Sequence, residues 1–184
     1  MRVKIVLKSG KEQSVMRYHP WVFSGAIKKI YGEPAEGDLV DVFDNKDNFL
    51  ATGHYQPSSI AVRILTFENV EPDISFFRDK IYKAVNYRKA TGLLDKRDLN
   101  VFRLVHGEGD GLPGLIIDFY NGVAVMQMHS LGFYRIRKEI SSLLVEVLKD
   151  QIIAIYDKSE GTLPHMSGVS VSNEFLYGSS APVI

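Results

Sequence analysis

Cysteine is absent from this chain of 184 residues, and so are long apolar runs. Without cysteine the chain can form no disulfide, no thiolate zinc site and no cysteine nucleophile of its own. The longest apolar runs, such as residues 114–117 and 143–145, are far too short to cross a bilayer, and residues 1–8 lack the apolar region of a signal peptide. We therefore expect a cytoplasmic protein with no membrane partner.

The chain also has no formal net charge, because 22 Lys and Arg residues balance 22 Asp and Glu residues. The neutral sum conceals an asymmetry. Residues 1–30 carry seven Lys or Arg against one Glu, whereas residues 31–70 carry two against seven acidic side chains. A fold that gathers the first set on one face would attract phosphate despite the neutral total. Scattered, solvated charges are the simpler interpretation of the charges alone.

Short strands separated by turns are predicted for the first 70 residues. Apolar residues alternate with polar ones in residues 3–7, 37–43 and 60–65, and a polar turn leads from the second of these into a returning strand at residues 49–53. This spacing indicates a small β-barrel, closed at one end by a short helix near residues 20–27.

A change of hydrophobic period at residues 68–72 predicts two domains, 1–70 and 71–184. The second begins with a helix that Asp73 or Ser75 can cap and that Gly92 ends. Further predictions are strands at residues 102–105, 115–120, 123–128 and 152–156, and a helix at residues 133–149. The predicted class is α+β, with a small β-barrel followed by a mixed sheet that two helices cover.

Glycines crowd the segment Arg103–Gly114 in the manner of a nucleotide-binding loop. No helix pattern follows it, and Glu108 and Asp110 would repel a phosphate. We therefore predict a sharp turn in which these carboxylates accept backbone amides. A metal site of His106, Glu108 and Asp110, serving a small hydrolase, is a weaker alternative because no second histidine stands at ligand spacing. We predict no metal site and no catalytic residue.

Aromatic and basic residues stand together in residues 17–23. Rings such as Tyr18, Trp21 and Phe23 can stack on bases while neighbouring cations hold phosphates. Their alternative place is the barrel core, which we favour for Trp21 and Phe23. The cations are then the better contacts with nucleic acid. The predicted RNA-binding residues are Arg17, Lys28 and Lys29 first, followed by Lys8, Lys11, Arg63 and His19. Arg63 could equally form an internal ion pair with an acidic residue of positions 33–47.

Two blocks of this sequence resemble one family. Residues 17–27, 37–42, 55–60 and 62–65 are similar to the N-terminal PUA domain of class I ribosomal RNA large-subunit methyltransferases. The segment Arg103–Gly114, continuing through Asp118, is similar to the central domain of the same enzymes. The resemblance implies an S-adenosylmethionine (SAM)-dependent RNA methyltransferase. Its best-known branch forms 5-methylcytosine, using a cysteine of a SAM-binding domain that follows the central one.

The resemblance assigns this chain to recognition rather than chemistry. We expect it to bind and position structured RNA, in particular large-subunit ribosomal RNA. We expect no activity from the chain alone and no cofactor bound to it, with SAM serving the full-length protein. Cytosine C5 methylation of this kind needs a thiolate, which a chain without cysteine cannot supply. A protein-interaction or homodimerisation module is the alternative that the sequence leaves open.

Overall fold

The computed structural model describes residues 2–94, 100–163 and 169–179. The chain divides into two compact units, Met1–Pro72 and Asp73–Ile184, each with its own sheet. The predicted second domain also contains residues 95–99, 164–168 and 180–184, which lie outside the described residues. Both sheets are mixed, and helices accompany them, so the predicted α+β class is confirmed.

The N-terminal unit is a six-stranded half-barrel. Its elements are β1 (Val3–Leu7), α1 (Gln13–Met16), β2 (Trp21–Phe23), β3 (Ile27–Tyr31), β4 (Leu39–Phe43), β5 (Phe49–Tyr55) and β6 (Ile60–Thr66). The strand order is β2-β6-β5-β4-β1-β3, and only β1 and β4 are parallel. The outermost strands β2 and β3 are consecutive in the chain and are joined by a single 3₁₀ turn, Ser24–Ala26.

The core of this unit follows from the alternation of the strands. Every second residue of β1 and β4 points inward, and both strands contribute β-branched side chains that suit a pleated surface. The core residues are Ile5, Leu7, Val15, Val22, Val40, Val42, Ala51, Val62 and Ile64. Val15 comes from the short helix α1, which therefore packs one residue into the half-barrel.

The short helix predicted near residues 20–27 is confirmed only for the 3₁₀ turn Ser24–Ala26. Residues Trp21–Phe23 form strand β2, which pairs with β6 through Trp21 opposite Arg63 and Val22 opposite Val62. Aromatic and β-branched side chains favour a strand when a partner strand is available, and this partner lies some 40 positions further along the chain. A short α-helix of this unit lies earlier in the chain, at Gln13–Met16.

The C-terminal unit places helices on a five-stranded sheet. Its elements are α2 (Ile74–Ala90), β7 (Val101–His106), β8 (Leu115–Tyr120), β9 (Val123–Met128), α3 (Leu131–Arg135), α4 (Arg137–Leu148), β10 (Ala154–Asp157) and β11 (Glu174–Tyr177). The strand order is β11-β10-β9-β8-β7, with β9 and β10 parallel. The Asp73 carboxylate accepts the Phe76 amide at 2.9 Å, which confirms Asp73 as the cap of α2.

Two features of this unit differ from the sequence-based expectation. The helix predicted at residues 133–149 is divided at Ile136, and the guanidinium of Arg137 donates to the Tyr134 carbonyl oxygen at 3.0 Å. Strand β11 was not predicted, because four residues without a recognisable period become a strand only by pairing with β10. No described helix combines the length and the apolar character needed to cross a bilayer.

Candidate nucleic-acid interface

A cavity of about 330 Å³ opens beside the 3₁₀ turn that joins β2 to β3. Its lining residues are Leu7, Lys11, Ser14, Val15, Val22, Phe23, Gly25 and Ala26. The buried side chains of Leu7, Val15 and Val22 form an apolar floor, whereas Ser14 and Phe23 are exposed at its mouth. This cavity, which we call the half-barrel pocket, can accept a flat apolar face while leaving polar edges in water.

Two lysines that the sequence predicted as RNA contacts lie at this pocket. Lys11 lines it directly. Lys8 is held beside it twice, because its backbone amide donates to the Ala26 carbonyl oxygen and its Nζ donates to the Gly25 carbonyl oxygen, each at 2.9 Å. An apolar floor with two ammonium groups at its rim suits a ligand that is flat at one end and anionic at the other.

Ion pairs within this unit distinguish the N-terminal cations from one another. Arg2 is paired with Asp41 at 2.7 Å and with Glu71, and Lys4 is paired with Asp47. Burial by itself lowers the pKa of Arg2, but the hydrogen bonds and negative charges of Asp41 and Glu71 together raise it. The acidic segment thus neutralises two of the seven N-terminal cations. Within the described ranges, the other five (Lys8, Lys11, Arg17, Lys28 and Lys29) form no salt bridge.

Aromatic rings extend the surface from the pocket mouth. The Phe23 ring centroid lies 6.2 Å from that of Trp21, which lies 5.8 Å from that of His19. Phe23 is 47% exposed and Tyr18 is 73% exposed, whereas Trp21 is half-buried. The expectation that Phe23 belongs to the barrel core is therefore wrong. Val22 is the buried residue of strand β2, and because successive side chains of a strand point to opposite faces, its neighbour Phe23 points away from the core.

The remaining predicted contacts do not line the pocket. Arg17 ends helix α1 and is exposed, and the Nδ1 atom of His19 lies 3.2 Å from the Trp21 amide, whose proton it accepts. Lys28 and Lys29 lie on the edge strand β3, with Lys29 Nζ 4.5 Å from the centre of the Tyr31 ring. Arg63 is half-buried on β6, opposite Trp21 and His54.

The glycine-rich segment of the C-terminal unit is a clamped turn. Both Asp110 carboxylate oxygens bind Arg88, at 2.5 and 2.7 Å, and one of them also accepts the His106 amide at 2.6 Å. The prediction of a carboxylate accepting a backbone amide holds for Asp110. The sequence showed no sign of its partner Arg88, which lies on helix α2. Among the described residues, no three His, Cys, Asp or Glu side chains are grouped as a metal site would require.

The half-barrel pocket, the lysines at its rim and the aromatic rings all lie within residues 5–67. This range matches the family model described as a PUA-like domain. The N-terminal unit is a PUA-like domain. Every predicted RNA-binding residue, from Lys8 to Arg63, belongs to this domain.

Sequence similarity to known proteins extends across both units. The chain is 36% identical over 186 aligned residues to the ribosomal RNA large subunit methyltransferase I of Shigella flexneri, Escherichia coli O157:H7 and Citrobacter koseri. These alignments cover 100% of this chain and 46% of each relative. The chain thus spans about half the length of the curated relatives it matches.

Two solved structures share the fold of the whole chain. One is a candidate SAM-dependent methyltransferase from Streptococcus mutans, with a TM-score of 0.79 and 21% identity, covering 99% of this chain and 44% of that one. The other, SMU.776, is a candidate methyltransferase solved with S-adenosylhomocysteine; its TM-score is 0.79, its identity 20%, and the same shares are covered. At this identity the likeness concerns the fold, which extends beyond the PUA-like domain to the C-terminal unit.

Proposed function

We propose that this chain is the RNA-recognising and RNA-positioning portion of a SAM-dependent methyltransferase that modifies large-subunit ribosomal RNA in the cytoplasm. The observation that carries the proposal is the half-barrel pocket of the PUA-like domain, where an apolar floor, two lysines and the exposed Phe23 ring meet. The relatives that match both units are ribosomal RNA large-subunit methyltransferases, which supports the choice of RNA.

The chemistry of the surface favours RNA with unpaired nucleotides. Exposed rings such as Phe23 and Tyr18 offer faces on which bases can stack, and stacking requires bases that are not already in a helix. Lys8 and Lys11 supply charge for the backbone next to the stacked base. Rings and cations together bind an RNA loop or junction better than either would alone.

In this proposal, catalysis belongs to a protein of the length of the curated relatives, of which this chain matches about half. The modified atom is proposed to be cytosine C5. That reaction needs a thiolate to attack the ring, and this chain contains no cysteine. Its contribution to the rate would come from holding RNA in place, which can lower a barrier without any chemical group of its own. SAM would serve the longer protein. Nucleoside analysis of ribosomal RNA from cells with and without the gene tests the assignment, and an unchanged 5-methylcytidine content would contradict it.

Binding of the 184-residue chain to large-subunit ribosomal RNA fragments tests the proposal directly. The variant Lys8→Ala/Lys11→Ala removes both lysines at the pocket, and Lys46→Ala, in the exposed turn between β4 and β5, is the matched control. We expect wild-type affinity to fall steeply with salt. The slope of log K against log salt should decrease by about 1.4 to 1.8 in the double variant, because each lost phosphate contact contributes about 0.7 to 0.9.

Two results would contradict the proposal. One is the absence of salt-dependent binding by the wild-type chain. The other is equal weakening by the double variant and by Lys46→Ala, because RNA would then respond to total charge rather than to the surface at the pocket.

A further inference from the structure

A second groove, of about 570 Å³, lies on the C-terminal unit and is not part of the PUA-like domain. Its lining residues are Arg88, Val101, Phe102, Arg103, His106, Asp118 and Tyr120. They come from helix α2 and from strands β7 and β8, the edge strand and its neighbour in the second sheet. We call it the edge groove. It brings two guanidinium groups, a carboxylate, an imidazole and a phenol next to the apolar side chains of Val101 and Phe102.

A bulge in β7 brings its polar side chains together. Arg103 pairs with Asp118 and Val105 with Ile117, so Leu104 is the extra residue. Leu104 and Val105 are both buried, and His106 returns to the exposed side that Arg103 occupies. In a regular strand, residues 103 and 106 would face opposite sides of the sheet. Bulges re-aim side chains in this manner and are common near binding and active sites.

The contacts of Arg103 define a polar edge. Its Nε donates to Asp118 Oδ1 at 2.9 Å, its Nη2 donates to Asp118 Oδ2 at 3.2 Å, and its Nη1 lies 3.4 Å from His106 Nδ1. The pKa of Arg103 is raised, because the hydrogen bond to Asp118 favours the charged form. A guanidinium has five N–H donors and a carboxylate about four acceptor positions. Unused N–H donors of Arg103 and unused acceptor positions of Asp118 therefore remain next to each other. The hydrogen bonds between the two side chains hold both in place.

The ion pair between Arg88 and Asp110 holds the backbone that carries Arg103 and His106 in place. Arg88 Nε donates to the Arg103 carbonyl oxygen at 3.0 Å while its two terminal nitrogens hold Asp110. Asp110 in turn accepts the His106 amide. The backbones of Arg103 and His106 are thus both tied to one buried ion pair. A pre-ordered site loses less entropy on binding than one that must be ordered by its ligand.

The charges of the edge groove argue against simple anion capture. Asp118 neutralises Arg103 and Asp110 neutralises Arg88, so phosphate would find no uncompensated cation among these four groups. A neutral planar ligand with donors and acceptors along one edge fits better. Such a ligand could also lie against the Tyr120 phenol or the Phe102 ring, which is stacked on Phe119 at 5.2 Å.

We propose that the edge groove binds one unpaired nucleobase of the RNA substrate, with its hydrogen-bonding edge on Arg103 and Asp118. The proposal rests on the RNA-binding function proposed above and adds a second, base-reading contact on the C-terminal unit. Arg103 donates to base oxygens or ring nitrogens, and Asp118 accepts from amino or imino groups. These are the pairings by which such side chains distinguish bases.

The experiment compares two matched arginine–carboxylate pairs of the C-terminal unit. Arg103→Lys keeps the charge in the edge groove and loses the fork of donors. Arg78→Lys makes the same change in the pair Arg78–Glu146, which joins α2 to α4 at 3.1 Å and does not line the edge groove. Arg78 and Arg103 are 43% and 45% exposed, so neither substitution should unfold the chain.

Short single-stranded RNA oligonucleotides of each base, and a hairpin of equal length, are the probes. We expect Arg103→Lys to weaken binding of at least one single-stranded probe by about tenfold or more, the discrimination that one bidentate base contact supplies. The salt slope should stay unchanged because no charge is lost. Asp118→Asn should alter the order of preference among the four bases. Arg78→Lys should match the wild type in every respect.

A second measurement separates base recognition from anion binding and needs no RNA affinity. Free nucleosides and inorganic phosphate are titrated into the wild-type chain while the NMR signals of the Arg103 guanidinium and the Tyr120 ring are followed. Shifts caused by a nucleoside and not by phosphate support the proposal. Shifts with phosphate alone, or with neither ligand, overturn it.

The two proposals fail in different ways. If Lys8→Ala/Lys11→Ala weakens RNA binding while Arg103→Lys and Asp118→Asn leave affinity and base preference unchanged, the base contact in the edge groove is refuted and the proposed function stands. If the wild-type chain binds no RNA, the proposed function fails, and RNA is then excluded as the molecule that supplies the base. The nucleoside titration then still decides whether the edge groove recognises a base at all.

Discussion

Arg88 and Asp110 form a two-point ion pair, with Nη1 2.5 Å from Oδ1 and Nη2 2.7 Å from Oδ2. Their side chains are 8% and 11% exposed, so the charges are largely removed from water. The pair joins helix α2 to the turn after β7, and the same two side chains hold the backbone at Arg103 and His106. One ion pair thus connects a helix, a strand and a glycine-rich turn.

Breaking this pair should strongly destabilise the C-terminal unit. We expect Arg88→Ala to lower the free energy of unfolding by about 3–5 kcal/mol, because Asp110 would remain as a buried charge without its partner. Arg78→Ala removes an exposed pair and should cost less than about 1 kcal/mol. Urea unfolding followed by far-ultraviolet circular dichroism measures both changes. Equal losses in the two variants would show that the Arg88–Asp110 pair contributes no more than a surface contact.

Phe23 should act in binding rather than in folding. Because its ring is exposed at the pocket mouth, Phe23→Ala should leave the unfolding midpoint nearly unchanged. It should weaken binding of single-stranded RNA by about 1–3 kcal/mol, the usual contribution of one stacked base, without changing the salt slope. Tyr82→Ala, an exposed ring on α2, is the control for anisotropy titrations. A large loss of stability in Phe23→Ala would assign the ring to the barrel core after all.

Gly53 is required by the pairing of β5 and β6. A Cβ atom placed on Gly53 would lie 2.3 Å from the Arg63 carbonyl oxygen, which is backbone and cannot move without disturbing the sheet. We expect Gly53→Ala to lower the stability of the PUA-like domain by about 1–3 kcal/mol or more. Gly25→Ala meets no atom within 4 Å and serves as the matched control. Thermal unfolding should separate the two, and identical midpoints would refute the steric account.

Asp157 should make stability depend on pH. Burial raises its pKa, although Ser159 donates a hydrogen bond to the carboxylate and Arg137 Nε lies 3.4 Å from Oδ2, with Glu174 opposing them. The folded state therefore holds this proton more tightly than the unfolded state. Ionisation of Asp157 reduces stability as pH rises from about 3.9, the ordinary value, through the raised pKa of the folded state.

The variant Asp157→Asn isolates this effect, because the amide stays neutral at every pH. We expect the free energy of unfolding of the wild type, relative to the variant, to decrease as pH rises through that window and to stay level above it. Urea unfolding from about pH 3.5 to 7, a range that includes the ordinary pKa, measures the difference. A difference that increases with pH would mean that Arg137 and Ser159 outweigh burial.

Local patterns predicted several elements well. Residues 115–120 and 123–128 form β8 and β9 with the predicted bounds, because alternation and the Asn121-Gly122 turn act over neighbouring positions. Asp73 caps α2 for the same reason. Only residues 24–26 of the helix predicted near residues 20–27 are helical, because residues 21–23 pair with a distant strand. Strand β11 was not predicted because it forms only by pairing with β10.

The predicted binding residues were selected mainly by charge, and charge alone does not show which cations are neutralised in the folded chain. Lys8 and Lys11 lie at the half-barrel pocket, whereas Arg2 and Lys4, alike in sequence, are neutralised by Asp41, Glu71 and Asp47. The edge groove had no signal in the sequence beyond the block that begins at Arg103. Its polar edge depends on a bulge at Leu104 and on contacts across 15 and 22 positions.

The sequence by itself determined the class of fold, the excess of cations in the first 30 residues and the absence of a thiol, since composition and short-range periodicity carry that information. The tertiary structure alone decided which cations are neutralised, that Phe23 faces solvent and that Arg103 meets Asp118. These outcomes depend on strand register and on ion pairs between distant positions. A single bulge changes the face that a side chain occupies, and no local pattern records it.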